Sequence, residues 1–367
     1  MLTWLLIFGA FAVLMIFVSV IAVVYFTSKG GSAGGENSRK YETPKTLSAI
    51  AVPGTRYDTS SSKNPADEFL RMRNASRDIM IWPRARLAGG VHQLQLRGKD
   101  IIAPLVGNGG SLQSMMFSHI NHTEDWNPTQ AGCSPDMDGK TTSQWQALAV
   151  DDPSTPKRMY ARTRMAFWGD VSAPVGTKGS DGKTVTILHK NQLSEITLET
   201  DIQLDAPGLP KNAILYNVSY DIPGRISDHS KTNTLTAATF EILTGYTVSS
   251  IQKAWMYQNG RAVPVNGKIE SSTKPCIVGD AKGLTCIGVI ARKWHPGLNK
   301  PFFTWFGQVD NVPVYDAAGN RSGPQQIGKW NIVTVNKGQK LDGKYNVEVI
   351  LVLGTLVEVT ASIKRIV

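Results

Sequence analysis

The chain has 367 residues, 41% of them hydrophobic and 19% charged, with 39 Lys and Arg against 29 Asp and Glu. This composition excludes a disordered chain and gives enough length for one large β domain or two small ones. The net charge of +10 is spread thinly, its densest clusters being doublets such as Arg39-Lys40 and Arg292-Lys293, which argues against a dedicated nucleic-acid surface.

In chain order, the first feature is an apolar run from Leu2 to Phe26 without a single charge. As a helix it would be roughly 37 Å long, enough to cross a hydrocarbon core of about 30 Å with some tilt. It exceeds the usual apolar length of a cleaved signal peptide, so residues 1–27 are expected to be a single-pass membrane anchor. Lys29, Arg39, Lys40 and Lys45 come after it against Glu36 and Glu42, a bias that favours a cytoplasmic position for the large domain. Residues 28–69 are rich in Gly, Ser and charge and read as a tether. A domain is expected over 70–367.

Within that domain, apolar residues alternate over 183–190, 195–204, 213–222, 330–336 and 345–355, with β-branched and aromatic residues prominent and Gly, Pro, Asn and Asp between the runs. The pattern predicts strands, and the lack of a long 3.6-residue period after residue 80 predicts an all-β sandwich. Three cysteines, Cys133, Cys276 and Cys286, are too few for a disulfide scaffold and lack metal-ligand spacing. Cys276 and Cys286 could bridge a hairpin in an oxidising compartment.

Phosphate-loop, dinucleotide-binding, zinc-protease and serine-hydrolase motifs are all missing. The stretch "HINHTEDWNPTQAG" (119–132) is the chemically richest: His119, His122, Glu124 and Trp126 precede a turn at Asn127-Pro128. Glu124 and Asp125 are adjacent, so in an extended segment they face opposite ways and do not form a close carboxylate pair. Glu348 is a second candidate carboxylate, although "VEV" around it also fits an outward position on an alternating strand. Trp168 and the loop around Trp294 and His295 add rings suited to stacking on a sugar. Asp136 and Asp138 fit an Asx turn better than a calcium site, and neither a metal nor a cofactor is expected.

The segments "NGGSLQSMMFSHINHTEDWNPTQAG" (108–132), "RTRMAFWG" (162–169), "GKWNIVTVN" (328–336) and "YNVEVILVLGTLVEVTASI" (345–363) resemble, in that order, a poorly characterised bacterial family with a galactose-mutarotase-like β-supersandwich. The resemblance implies a histidine that protonates a ring oxygen and a carboxylate that takes the anomeric proton. On this chain those roles would fall to His119 or His122 and to Glu124. Gln113, Trp126, Asn127, Gln130, Trp168, Trp294 and His295 would bind the sugar. Gln130 departs from the family pattern, which has a carboxylate there; an amide cannot act as a base at neutral pH. The expectation is a membrane-anchored carbohydrate-binding or weakly epimerase-like protein. The competing expectation is a structural β-sandwich packed against protein partners in a cell-surface or virion layer.

Overall fold

The computed structural model describes residues 70–84, 87–103, 112–120, 124–132, 143–152, 154–167, 177–178, 184–187, 193–226, 235–315 and 321–367. The expected all-β character holds: 22 strands and one α-helix lie among these residues. Nearly all pairing is antiparallel, the exception being Thr184–Ile187 beside Glu124–Trp126. The alternating runs over 195–204 and 213–222 fall in the strands Leu193–Leu204 and Ala213–Ile222, and the run over 345–355 falls in Gly343–Gly354 up to its last residue, Thr355, which caps a helix.

Two sheets pack face to face. The larger runs, strand beside strand, through Gln144–Val150, Arg158–Phe167, Leu193–Leu204, Ala213–Ile222, Gly343–Gly354, Cys286–Trp294, Cys276–Asp280, Ile251–Gln258 and Arg261–Val265. The smaller runs through Leu112–Ile120, Thr239–Thr247, Arg321–Val335, Phe302–Tyr315 and Ile269–Ser272. The short strand Pro128–Thr129 stitches them together, pairing with Met115 on one side and with Ala166 and Phe167 on the other.

Side-chain alternation explains the layers. On Gly343–Gly354, Val347, Val349, Leu351 and Leu353 enter the core between the sheets, while Ile350 and Val352 point the opposite way. Tyr220 spans the layers: its ring meets Phe240 edge-on at 5.1 Å, and its hydroxyl donates to the carbonyls of Met115 and Glu241, each at 3.1 Å. At Gly245 a Cβ would overlap the ring of Trp330, so glycine there makes room for the largest side chain of the core.

Ile350 and Val352 are covered by the helix Leu356–Ile366, through Val359 and Ile363. The even strand alternation did not anticipate this helix, which starts at a capping box: the Thr355 hydroxyl accepts from the Glu358 amide, and the Glu358 carboxylate accepts from the Thr355 amide. Gly288 lets it approach, since a Cβ there would lie 2.7 Å from Val359.

The register answers the open question of the cysteines, and one expectation is corrected. Cys276 and Cys286 are free thiols, because the register sets Cys286 opposite Gly279, three residues from Cys276, and the two side chains enter different clusters on opposite faces of the sheet. Burial pushes both thiols up to about 12. The single-pass membrane placement is overturned: among the described residues the α-helix has 11 residues, and no helix is long and apolar enough to cross a membrane. The apolar run at 2–26 and the tether at 28–69 lie outside the described residues.

Candidate functional site

The turn after Trp126 is built inward. Trp126 is fully buried, its ring edge-on to Phe167 at 5.8 Å, which makes it core rather than an exposed stacking face. The Gln130 amide is equally buried, accepting from the Ser114 amide at 3.3 Å and donating to the Ala88 carbonyl at 3.3 Å. The Gln113 side-chain oxygen accepts from the Ala131 amide at 3.1 Å. Both amides thereby satisfy backbone groups that the stitch between the sheets leaves unpaired. Asn127 is buried, and its Oδ1 accepts no hydrogen bond. His119 pairs with Asp125 and Ile120 with Glu124 along the backbone. The side chains of His119 and Glu124, and the whole of His122 and Trp168, lie outside the described residues.

Trp294 and His295 belong elsewhere. Trp294 pairs with Val347, four strands across the larger sheet from the strand that meets the turn, a distance of roughly 19 Å at about 4.8 Å per strand. The His295 ring meets Tyr345 at 4.7 Å and its Nδ1 accepts from the Gly297 amide at 3.0 Å. Burial holds its pKa below the ordinary histidine value. The sequence-nominated residues therefore divide between two places.

A different set of polar residues does converge, on the face of the smaller sheet that points away from the core. Register puts Gln113, Thr244, Asn331 and Thr304 side by side on four neighbouring strands. At about 4.8 Å per strand this row spans roughly 14 Å. Next along the same face come Tyr246 and Lys329, paired in register, with Phe306 beside them. The Lys329 ammonium lies 5.5 Å from each of the two ring centres, at cation–π range. On the other side of the row, the Thr244 hydroxyl donates to the Glu241 carboxylate, which a bulge between Glu241 and Leu243 brings to this face.

These polar side chains are buried, yet not all are satisfied. Asn331 is 3% exposed and Thr304 1%, and among the described residues neither Asn331 Oδ1 nor Thr304 Oγ1 has a hydrogen-bond partner. Leaving a buried polar group unpaired costs about 1–3 kcal/mol. Among the described residues Thr200 Oγ1 and Tyr216 OH on the larger sheet are unpaired as well, and what is particular to this face is that two such oxygens lie in register on adjacent strands. The row offers amide and hydroxyl groups, and its flanks a carboxylate, an ammonium and two rings: the chemistry that recognises a polyhydroxylated ligand. Among the described residues no group of three His, Cys, Asp or Glu is placed to hold a metal ion.

Of this set, sequence reasoning nominated Gln113 alone. Lys329 and Asn331 were visible in "GKWNIVTVN", where they alternate with Trp330 and Ile332, but polar residues in an alternating strand read first as a solvated face.

No family model matches the chain, and no curated protein matches it. Among solved structures it is similar to a glycoside hydrolase family 97 enzyme variant from a Pseudoalteromonas species, at 10% identity and a TM-score of 0.29, over 77% of this chain and 35% of that one. It is also similar to a family 36 α-galactosidase from Geobacillus stearothermophilus, at 10% identity and a TM-score of 0.22, over 82% of this chain and 35% of the enzyme. The chain thus spans about a third of the length of each of these proteins.

Proposed function

We propose that this protein binds a carbohydrate on the outward face of its smaller sheet, with Asn331 and Thr304 as the central hydrogen-bonding pair. The observation that carries the reading is their two buried and unpartnered oxygens, held in register on adjacent strands. A sugar hydroxyl donates and accepts at one atom, so adjacent hydroxyls can satisfy both oxygens together. Glu241, held by Thr244, would accept a further hydroxyl proton, and Phe306 or Tyr246 would supply an apolar wall. A mutarotase-like ancestry for the fold is part of this proposal, as is any residual epimerase chemistry.

The test is a glycan array on the full-length chain, followed by calorimetric titration of the best ligand against Asn331→Ala and Thr304→Val. A neutral hydrogen bond contributes about 0.5–1.5 kcal/mol, so each variant should bind roughly three- to tenfold more weakly while keeping its melting transition. Unchanged affinity in both variants would remove this face from the binding site. An array without any hit would favour the structural reading, for which Gln113 and Gln130, both bonded to backbone groups, already speak.

A further inference from the structure

The strand Cys286–Trp294 has a neighbour on both sides over its first four residues only. Gly343–Gly354 accompanies its whole length, whereas Cys276–Asp280 pairs with Cys286 to Val289 and goes no further. The reason lies in the chain path: ahead of Cys276 the chain belongs to the other sheet, where Ser272 pairs with Phe303. From Ile290 to Trp294, one edge of the strand therefore has no strand partner among the described residues.

That edge borders a cleft of about 350 Å³ between the sheets. Val289, Ala291, Phe303 and Ile332 give the cleft an apolar floor, and Trp294 lines it as well. Its charged side chains are Lys274, Arg292 and Lys300, and no Asp or Glu side chain lines it. Arg292 is engaged by Glu348, whereas no ion pair engages Lys274 or Lys300 among the described residues. The end of the C-terminal helix forms part of the wall, and the partial negative charge expected there is offset by Lys364 and Arg365 in its last turn.

We propose that this edge takes up an extended segment of a partner protein, alternating apolar and acidic residues, as an added strand. Unpaired N–H and C=O groups on a strand edge are a template for another chain. Five residues at about 3.4 Å each give a binding length of roughly 17 Å. Because side chains alternate across an added strand, one set enters the cleft over Phe303 and Ile332 while the other meets the lysines at its rim. A second copy of this chain fits less well, since a symmetric contact would set the same cations against themselves. This site is distinct from the sugar-binding face, and neither proposal depends on the other.

The probe is a fluorescein-labelled nine-residue peptide alternating valine and glutamate, titrated by fluorescence anisotropy against the full-length chain. Micromolar binding is expected. It should weaken at least tenfold in the doubly charge-reversed variant Lys274→Glu, Lys300→Glu, and at least tenfold when alternate peptide amides on the pairing edge are N-methylated. Both substitutions are at the cleft rim, and an unchanged melting temperature shows that the variant folds. Equal binding of a valine–lysine peptide would overturn the charge argument, and equal binding of the N-methylated peptide would overturn strand addition. No binding up to millimolar peptide would overturn the proposal as a whole. A concentration-dependent dimer in the wild type that the charge-reversed variant abolishes would instead assign the edge to self-association.

Discussion

The two sheets each turn a polar face away from the shared core, and the two faces are built on opposite principles. On the larger sheet the buried charges are answered by charges. Asp201 receives two hydrogen bonds from Arg158, both at 2.8 Å, and Glu199, fully buried, is met by Lys344 at 3.0 Å and Arg162 at 3.5 Å. One Glu199 oxygen accepts no hydrogen bond, but the carboxylate's charge reaches Tyr160, whose pKa is pushed up to about 12 by burial first and by Glu199 second. On the smaller sheet the central row is neutral, and two of its oxygens have no partner. An ionic network of this kind holds strands together and leaves little charge to offer a ligand. An open row of amides and hydroxyls costs stability that only a ligand or ordered water can return.

The two faces should differ most at Arg158. Arg158→Ala leaves the Asp201 carboxylate buried without its cation and should cost about 3–5 kcal/mol in urea unfolding. If the face serves stability through the pair, the double variant Arg158→Met, Asp201→Leu should recover most of that loss. A loss under about 1 kcal/mol for the single variant would show that the network is solvated and that the contrast between the faces is false. On the smaller sheet the expectation reverses: Asn331→Leu removes an orphaned acceptor and should leave stability within about 1 kcal/mol of wild type, or raise it, while sugar binding falls.

Alkaline pH acts on the charged face through Tyr160. Its folded pKa of about 12 exceeds the ordinary tyrosine value of about 10, so the unfolded chain loses this proton first as pH rises. The corresponding stability is fully present below pH ~10 and is lost as pH climbs toward 12. Tyr160→Phe should therefore lose less stability than wild type across that window, measured as the difference between their denaturant midpoints. Parallel alkaline limbs would mean that neither burial nor Glu199 raises the Tyr160 pKa.

How much of the molecule was legible in the sequence depends on which forces are local. Ala213–Ile222 was readable because its alternation is set by one strand with a core on one side. The C-terminal helix was not, and the cause is visible in a repeated tripeptide. Val347-Glu348-Val349 lies in a strand, while Val357-Glu358-Val359 lies in the helix. The difference is the Gly354-Thr355 break and the Thr355/Glu358 capping box, a short signal inside a run that otherwise keeps its apolar character. The candidate site was less legible still. Whether Asn331 and Thr304 meet water or a covered face depends on strand order and register, and neither is encoded within a single strand. The turn at 126–132 stands out in the sequence because its groups are reactive types, yet the side chains of Gln113 and Gln130 are spent on backbone bonds.

The chemistry of Arg158–Asp201 recurs at a different depth in a surface pair. Arg97 pairs with Glu358 at 2.9 Å, with the two side chains 49% and 45% exposed. Water already solvates both groups, so Arg97→Ala should cost no more than about 0.5 kcal/mol. Glu358 does more for the chain through the Thr355 amide, the largest cause of its lowered pKa, with Arg97 second. A lowered carboxylate pKa means that the unfolded chain binds the proton more readily. The stability it represents is present above the ordinary glutamate pKa and is lost as pH falls through the lowered folded value. Thr355→Ala, which removes the hydroxyl that receives the Glu358 amide, should therefore cost about 1 kcal/mol at neutral pH. Melting of the two single variants and the double variant at neutral and acid pH decides the order. If Arg97→Ala proved as damaging as Thr355→Ala, exposure would not be what separates the two ion pairs, and the division between a charged face that stabilises and a neutral row proposed to bind would lose its physical basis.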